Sequence, residues 1–285
     1  MITRHDARVA TGTGYFLGEG PVWDPARQRL LWVDIMAGHL HEGRLDDGRV
    51  EPVRTWSFDG SVGAVAVAAD GDLLVAERET LTRVHTGGSR THVARVLAEG
   101  APNRLNDGAV DPAGRFLVGS LGGDRELLVR LEGGACTTID DDLTLSNGLA
   151  WSPSGDRFYS VDTLTRTVYV RDYPDGQRST LFTVTDGFPD GLCVDAEGNL
   201  WLAVWGGGRV ECRSPVGDLL AVVEVDAPHT SSVAFAGPGL DVLVITTATQ
   251  DLSPGELAAH PLSGRLFTAR AGVRGLPVPY WDPAR

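Results

Sequence analysis

Glu19, Asn106, Asn147 and Asp190 stand at the head of phrases built to one plan: a polar residue, an apolar run, a turn and a second apolar run. The phrases read EGPVWDPARQRLLWVD, NDGAVDPAGRFLVGS, NGLAWSPSGDRFYSVD and DGLCVDAEGNLWLAV. Two more, GAVAVAADGDLLVAE and SVAFAGPGLDVLVIT, put Gly63 and Ser232 in the same slot, so that six slots recur at intervals of 41 to 44 residues. Brought together, the slots would offer two carboxylates and two amides, an all-oxygen set of the kind hard divalent cations take. Asn-Gly and Asp-Gly are also common tight-turn pairs, because both tolerate positive φ. Glu19 resists that explanation, since glutamate is a poor turn-former and has no local reason to precede Gly20.

The elements that must position these residues follow from the repeat. Each phrase is strand, turn, strand. A third strand follows, as in LTRVHTGGSRT, RTVYVRDYPDGQ and GRVECRSPVGD, and a glycine-marked turn leads to a fourth. Four short strands in 40 to 50 residues is the signature of a propeller blade, which buries its faces only against neighbouring blades. No helix-length 3.6-residue periodicity competes. The sequence therefore predicts an all-β fold, a six-bladed β-propeller of four antiparallel strands per blade, as one domain over residues 1–285. The first strand of each blade lines the central channel, and the slots become a ring around it. ARVATGTGYF and GRLFTARAGVRGLPVPYW should meet in the closing blade, because a ring must hide its edge strands. A second polar column, Asp34, Glu77, Ser120, Asp162 and Thr246 with Val204 among them, is expected to satisfy loop amides. His39 and His41, in an outer hairpin, are expected in solvent.

Composition narrows the function classes. The chain carries 25 basic and 38 acidic residues, a formal charge of −13, which repels phosphate backbones and argues against nucleic-acid binding. The N-terminal MITRHDARVATGTGYFLGEG has no apolar core of a signal peptide, and no run of 18 apolar residues occurs, so a cytoplasmic protein without membrane attachment is expected. Three cysteines, Cys136, Cys193 and Cys212, without a C-x-x-C pair argue against a zinc–thiolate site and fit a reducing compartment. Neither a G-x-S-x-G elbow nor a phosphate-cradling loop is present, which leaves serine hydrolysis and nucleotide chemistry without support. No apolar stripe argues for a stable dimer, so a monomer or weak homo-oligomer is expected.

Taken in order, LGEGPVWD, RLNDGAVDPAGRFLVGS, LSNGLAWSPSGDRFYSVDT and FPDGLCVDAEGNLWLAVWGGGRV resemble the senescence marker protein, gluconolactonase and luciferin-regenerating enzyme family, which includes regucalcin. The resemblance covers most of the chain. It implies hydrolysis of sugar lactones to aldonic acids with one divalent cation in the channel, held by the residues matching E-G-P, S-N-G and P-D-G: Glu19, Asn147 and Asp190. The oxygen-only set favours Ca²⁺, with Zn²⁺, Mn²⁺ and Mg²⁺ open. Asp190 is the candidate catalytic base as well as a ligand. Arg104 and Asn106, from the family's R-x-N-D motif, are implied to contact sugar hydroxyls. Where some members carry acidic residues that reach the substrate, this chain reads LGGDREL, and Asp124 is the nearest match. A non-enzymatic calcium- or sugar-binding propeller, and a metal-dependent aryl-ester or phosphotriester hydrolase, are the alternatives.

Overall fold

The structure, a computed structural model, describes residues 2–285. Their strands form six sheets, five of four strands and one of five, arranged as the predicted propeller. The innermost strands are Gly18–Asp24, Val62–Val67, Arg104–Val110, Ser146–Trp151, Phe188–Val194 and Thr230–Ala236. Each pairs antiparallel with the next strand in sequence, and the order runs outwards from there. The second strands, such as RLLWVD at Arg29–Asp34 and LWLAVW at Leu200–Trp205, are almost wholly buried on both faces. That is why they read as near-continuous apolar runs rather than clean alternation.

The ring closes from the N-terminal side. Arg8–Val9 supplies the outer strand of the last blade by pairing with Phe267–Ala269, and Thr3–Asp6 adds a parallel fifth strand to the blade before it. The closing blade thus uses both predicted end segments. Only part of the C-terminal one takes part, however. Beyond Ala269 the chain crosses the face opposite the slots: Ala196 N–H donates to Arg274 O, Trp281 N–H to Val67 O and Asp282 N–H to Gly114 O. Pro277 and Pro279 cannot donate to a ladder, which suits a crossing strap better than a further strand.

The turn five residues beyond each slot is held from within. Asp24, Asp111 and Asp195 occupy its first position in three blades and are completely buried. Asp111 accepts from Ala113 N–H, Arg115 N–H, Arg115 Nε at 2.7 Å and Tyr173 Oη at 2.6 Å. Asp195 accepts from the equivalent amides, Glu197 N–H and Asn199 N–H, and from the Trp201 indole N–H at 2.9 Å. Their uniform five-residue offset is what lets the inner strands, and so the slots, share one height.

His41 departs from the expectation. Its strand, His39–Asp46, sets it directly across from Trp32, and it is buried between that indole and Tyr15, with ring centroids 5.4 and 4.9 Å away. Burial, then the neighbouring His39, lowers its pKa from 6.5 to about 4. The unfolded chain therefore takes up this proton first. The stability His41 contributes is complete above the unfolded value and is lost as pH falls towards the folded one. Urea midpoints at about pH 7 and about pH 4.5 should fall further apart in the natural protein than in His41→Gln. Equal spacing would show that His41 does not titrate on unfolding.

Candidate active site

All six inner strands break register at the slot: between Glu19 and Val22, Val62 and Ala64, Leu105 and Gly108, Asn147 and Leu149, Pro189 and Leu192, and Thr230 and Ser232. A bulge re-aims a side chain that would otherwise lie in the sheet's alternation, and here it recurs once per blade at the channel mouth. The strands also converge so closely that bulk is excluded. A Cβ added to Gly63 would lie 2.4 Å from the Asn106 carbonyl oxygen, and one on Gly148 would lie 2.4 Å from that of Asp190. Gly63 is therefore a spacer in the ring rather than a missing ligand.

Glu19, Arg104, Asn106, Asn147 and Asp190 line one cavity of about 250 Å³ at this mouth. Of the sequence-derived site residues, the structure brings these five together and leaves Asp124 apart, on an exposed turn outside the cavity lining. Glu126, two residues on, is buried instead, and takes Ser120 Oγ and Gly123 N–H as donors. A larger cavity, about 390 Å³, lies at the other end of the inner strands under the strap of Leu276 to Tyr280. Its lining is mainly apolar with Asp107 as its one carboxylate, so the concentration of polar groups, not size, marks the site.

The polar groups are interlocked. Arg104 Nη1 donates to Asn106 Oδ1 at 2.8 Å and to Leu105 O at 3.0 Å, and Asn106 Nδ2 donates to Ser146 O at 3.1 Å. Asn147 Nδ2 donates to Asp190 Oδ1 and to Thr163 Oγ1, while Thr163 donates to Pro189 O at 2.9 Å. Thr163, within this network, and Asp107, which accepts from Gly108 N–H and bears on Glu19 and Asp190 through its charge, are the residues that sequence reasoning passed over. Thr163 carries no slot signal; Asp107 was visible as the last residue of R-x-N-D.

The electrostatics are those of a site short of positive charge. Burial first, then repulsion from Glu19 and Asp107, holds Asp190 well above the ordinary carboxylate range. Burial and Asp107 raise Glu19 in the same way, and burial raises Asp107. Arg104 is the nearby cation, itself lowered to about 10 by burial. Asn147 Oδ1 is buried and has no hydrogen-bond partner, an arrangement that costs about 1–3 kcal/mol unless something else satisfies it. A hard cation between Glu19, Asn147 and Asp190 would answer both the repulsion and the orphaned oxygen, so the donor set fits one. Among the described residues no three His, Cys, Asp or Glu side chains form a metal-binding group, and this set of two carboxylates and an amide does not rely on one.

Residues 17–249 match the SMP-30/gluconolactonase/LRE-like region family. The chain belongs to that family. Among its SMP-30/gluconolactonase relatives, the pentonolactonase XacC of Haloferax volcanii is 35% identical over 277 residues, covering 92% of this chain and 93% of that one. A 6-deoxy-6-sulfogluconolactonase of Pseudomonas putida is 36% identical over 282 residues, covering 92% and 94%. The crystal structure of the calcium-binding protein regucalcin from Agrobacterium tumefaciens superposes with a TM-score of 0.93 at 29% identity, over 99% of each chain. The family match begins at Leu17 and so contains every slot from Glu19 to Ser232.

The second polar column satisfies loop amides, as the sequence suggests, in two of its blades and a strand amide in a third. Asp34 accepts from the Phe16 and Leu17 amides at 3.0 Å, Asp162 from those of Thr144 and Leu145, and Ser120 from that of Leu127. These residues hold the loops around the mouth. No helix among the described residues is long and apolar enough to cross a membrane. Cys212 is buried, and Cys136 and Cys193 are partly so.

Proposed function

We propose that this protein hydrolyses sugar lactones to aldonic acids with the help of one divalent cation. The observation that carries the reading is the convergence of Glu19, Asn147 and Asp190 on one cavity, with the Asn147 oxygen unpartnered and Arg104 beside them. A cation bound by those three residues, with Ca²⁺ the best match to oxygen donors, would polarise the lactone carbonyl and stabilise charge developing on its oxygen.

The chain's own groups account for the rest. Arg104 keeps Nε and Nη2 outside its hydrogen bonds to Asn106 and Leu105, and these donate to substrate oxygens. Asn106, fixed by Arg104 and by Ser146 O, stands beside it as a second contact. Asp190, oriented by Asn147, takes a proton from the attacking water. As the carbonyl carbon–ring oxygen bond breaks, Asp190 returns that proton to the departing oxygen. The product acid then ionises, and one proton reaches solvent per turnover.

Titration calorimetry tests the ligand set. Ca²⁺ should bind the natural protein at one equivalent, and Glu19→Gln should weaken it at least about tenfold. Unchanged affinity in Glu19→Gln would remove that residue from the site.

A further inference from the structure

The cavity above the carboxylates is walled by hydrocarbon. Leu17, Ile35, Leu121, Leu145, Leu164 and Phe188 line it, from four of the blades, and Trp205 completes the wall. These walls are built rather than incidental. The buried carboxylates of Asp34 and Asp162 are committed to the amides of Leu17 and Leu145, at 3.0 and 3.1 Å. Ile35 N–H donates to Leu17 O, and Thr163 N–H to Leu145 O, so blades one and four repeat the device. Trp205 is stacked on His229 at 4.1 Å, and Phe188 lies under the Arg166 guanidinium at 4.5 Å. Leu164 is 59% exposed, and Phe16 and Met36, next in sequence to the lining residues Leu17 and Ile35, are 50 and 52% exposed. Single exposed apolar residues are ordinary, but a group at one concave mouth marks a ligand surface.

The polar side of the ledger is short. Thr163 is held in bonds to the protein, Asn106 keeps one N–H beyond its bonds to Arg104 and Ser146 O, and Glu19, Asn147 and Asp190 belong to the reacting end. Arg104's remaining N–H groups, the second Asn106 N–H, Gln250 and Asp251 are what is left to meet hydroxyls. Further hydroxyls pressed against these leucines would lose their water without replacement, whereas alkyl or aryl groups would gain by burial. Resting on the lactonase reading above, the geometry points to a preference, among the lactones this site opens, for one with an apolar substituent on the ring carbon remote from the carbonyl, its carbonyl end at Asp190 and its substituent against the leucine wall.

The experiment compares kcat/KM, corrected for spontaneous opening, for glucono-δ-lactone, δ-valerolactone and δ-decalactone in the natural protein and in Leu164→Asn, a position exposed enough to tolerate the change. The alkyl-bearing δ-decalactone should exceed glucono-δ-lactone at least about tenfold, and Leu164→Asn should lower the δ-decalactone to δ-valerolactone ratio by about tenfold, the least expected for one buried methylene. Glucono-δ-lactone turned over as fast as δ-decalactone or faster, or a ratio indifferent to Leu164→Asn, would overturn the apolar-substituent inference and leave the lactonase reading standing. No turnover of any of the three would overturn both.

Discussion

Asp190→Ala will fold into the same propeller and open lactones at least about 10³-fold more slowly, because it removes a proton acceptor and a cation ligand together. The informative companion is Asp190→Asn. It keeps the shape and the contact with Asn147 but removes one of three carboxylates that burial and mutual repulsion hold above their ordinary range. In cation-free buffer, then, Asp190→Asn should melt no lower than the natural protein, although it is inactive. Added Ca²⁺ should raise the melting temperature of the natural protein, by about 2.7 kcal/mol of stability at a hundredfold excess over Kd, and leave Asp190→Asn unmoved. A variant that lost activity by unfolding would do the reverse, melting early with and without the ion.

The second large effect lies away from the site. Asp111→Ala should destabilise the protein by about 3–5 kcal/mol, because it strips a fully buried acceptor from Arg115, Tyr173 and two turn amides at once. For a chain of this size that is a fall of roughly ten degrees in melting temperature. The surface pair Arg125–Asp141, with side chains 67 and 69% exposed, provides the contrast. Asp141→Ala should cost under about 1 kcal/mol, since water and salt already screen that pair. If the two variants melted alike, the turn aspartates would not be holding the blades in register.

Much of this was legible in the sequence for a physical reason: a propeller repeats its geometry, so an offset that matters once appears six times. The slot, the turn five residues later and the apolar second strand all surface as periodicity. Glu19 stood out because local turn chemistry could not explain it. The bulges left only an indirect trace, the glycines beside the slots, and strand alternation alone would not have aimed Asn147 and Asp190 at one cavity. Long-range placement was harder still. His41 sits in an alternating H-L-H that reads as a solvated edge, and only the cross-strand position of Trp32 and the return of Tyr15 bury it. The apolar lining of this cavity was invisible for the same reason: Leu17, Leu145 and Leu164 come from connections scattered along the chain and Leu121 from the end of a strand, each unremarkable where it stands. Asp124 followed from motif spacing, but the two glycines before it carry the turn outwards, and Glu126 takes the buried position.

The most direct test of the central claim is proton release from sugar lactones by the purified protein, followed before and after chelation and again after Ca²⁺, Mn²⁺ or Zn²⁺ is returned. The account predicts acid production above the spontaneous rate, its loss on chelation and its recovery with a cation, Ca²⁺ foremost. Undiminished turnover after complete removal of divalent ions would contradict it.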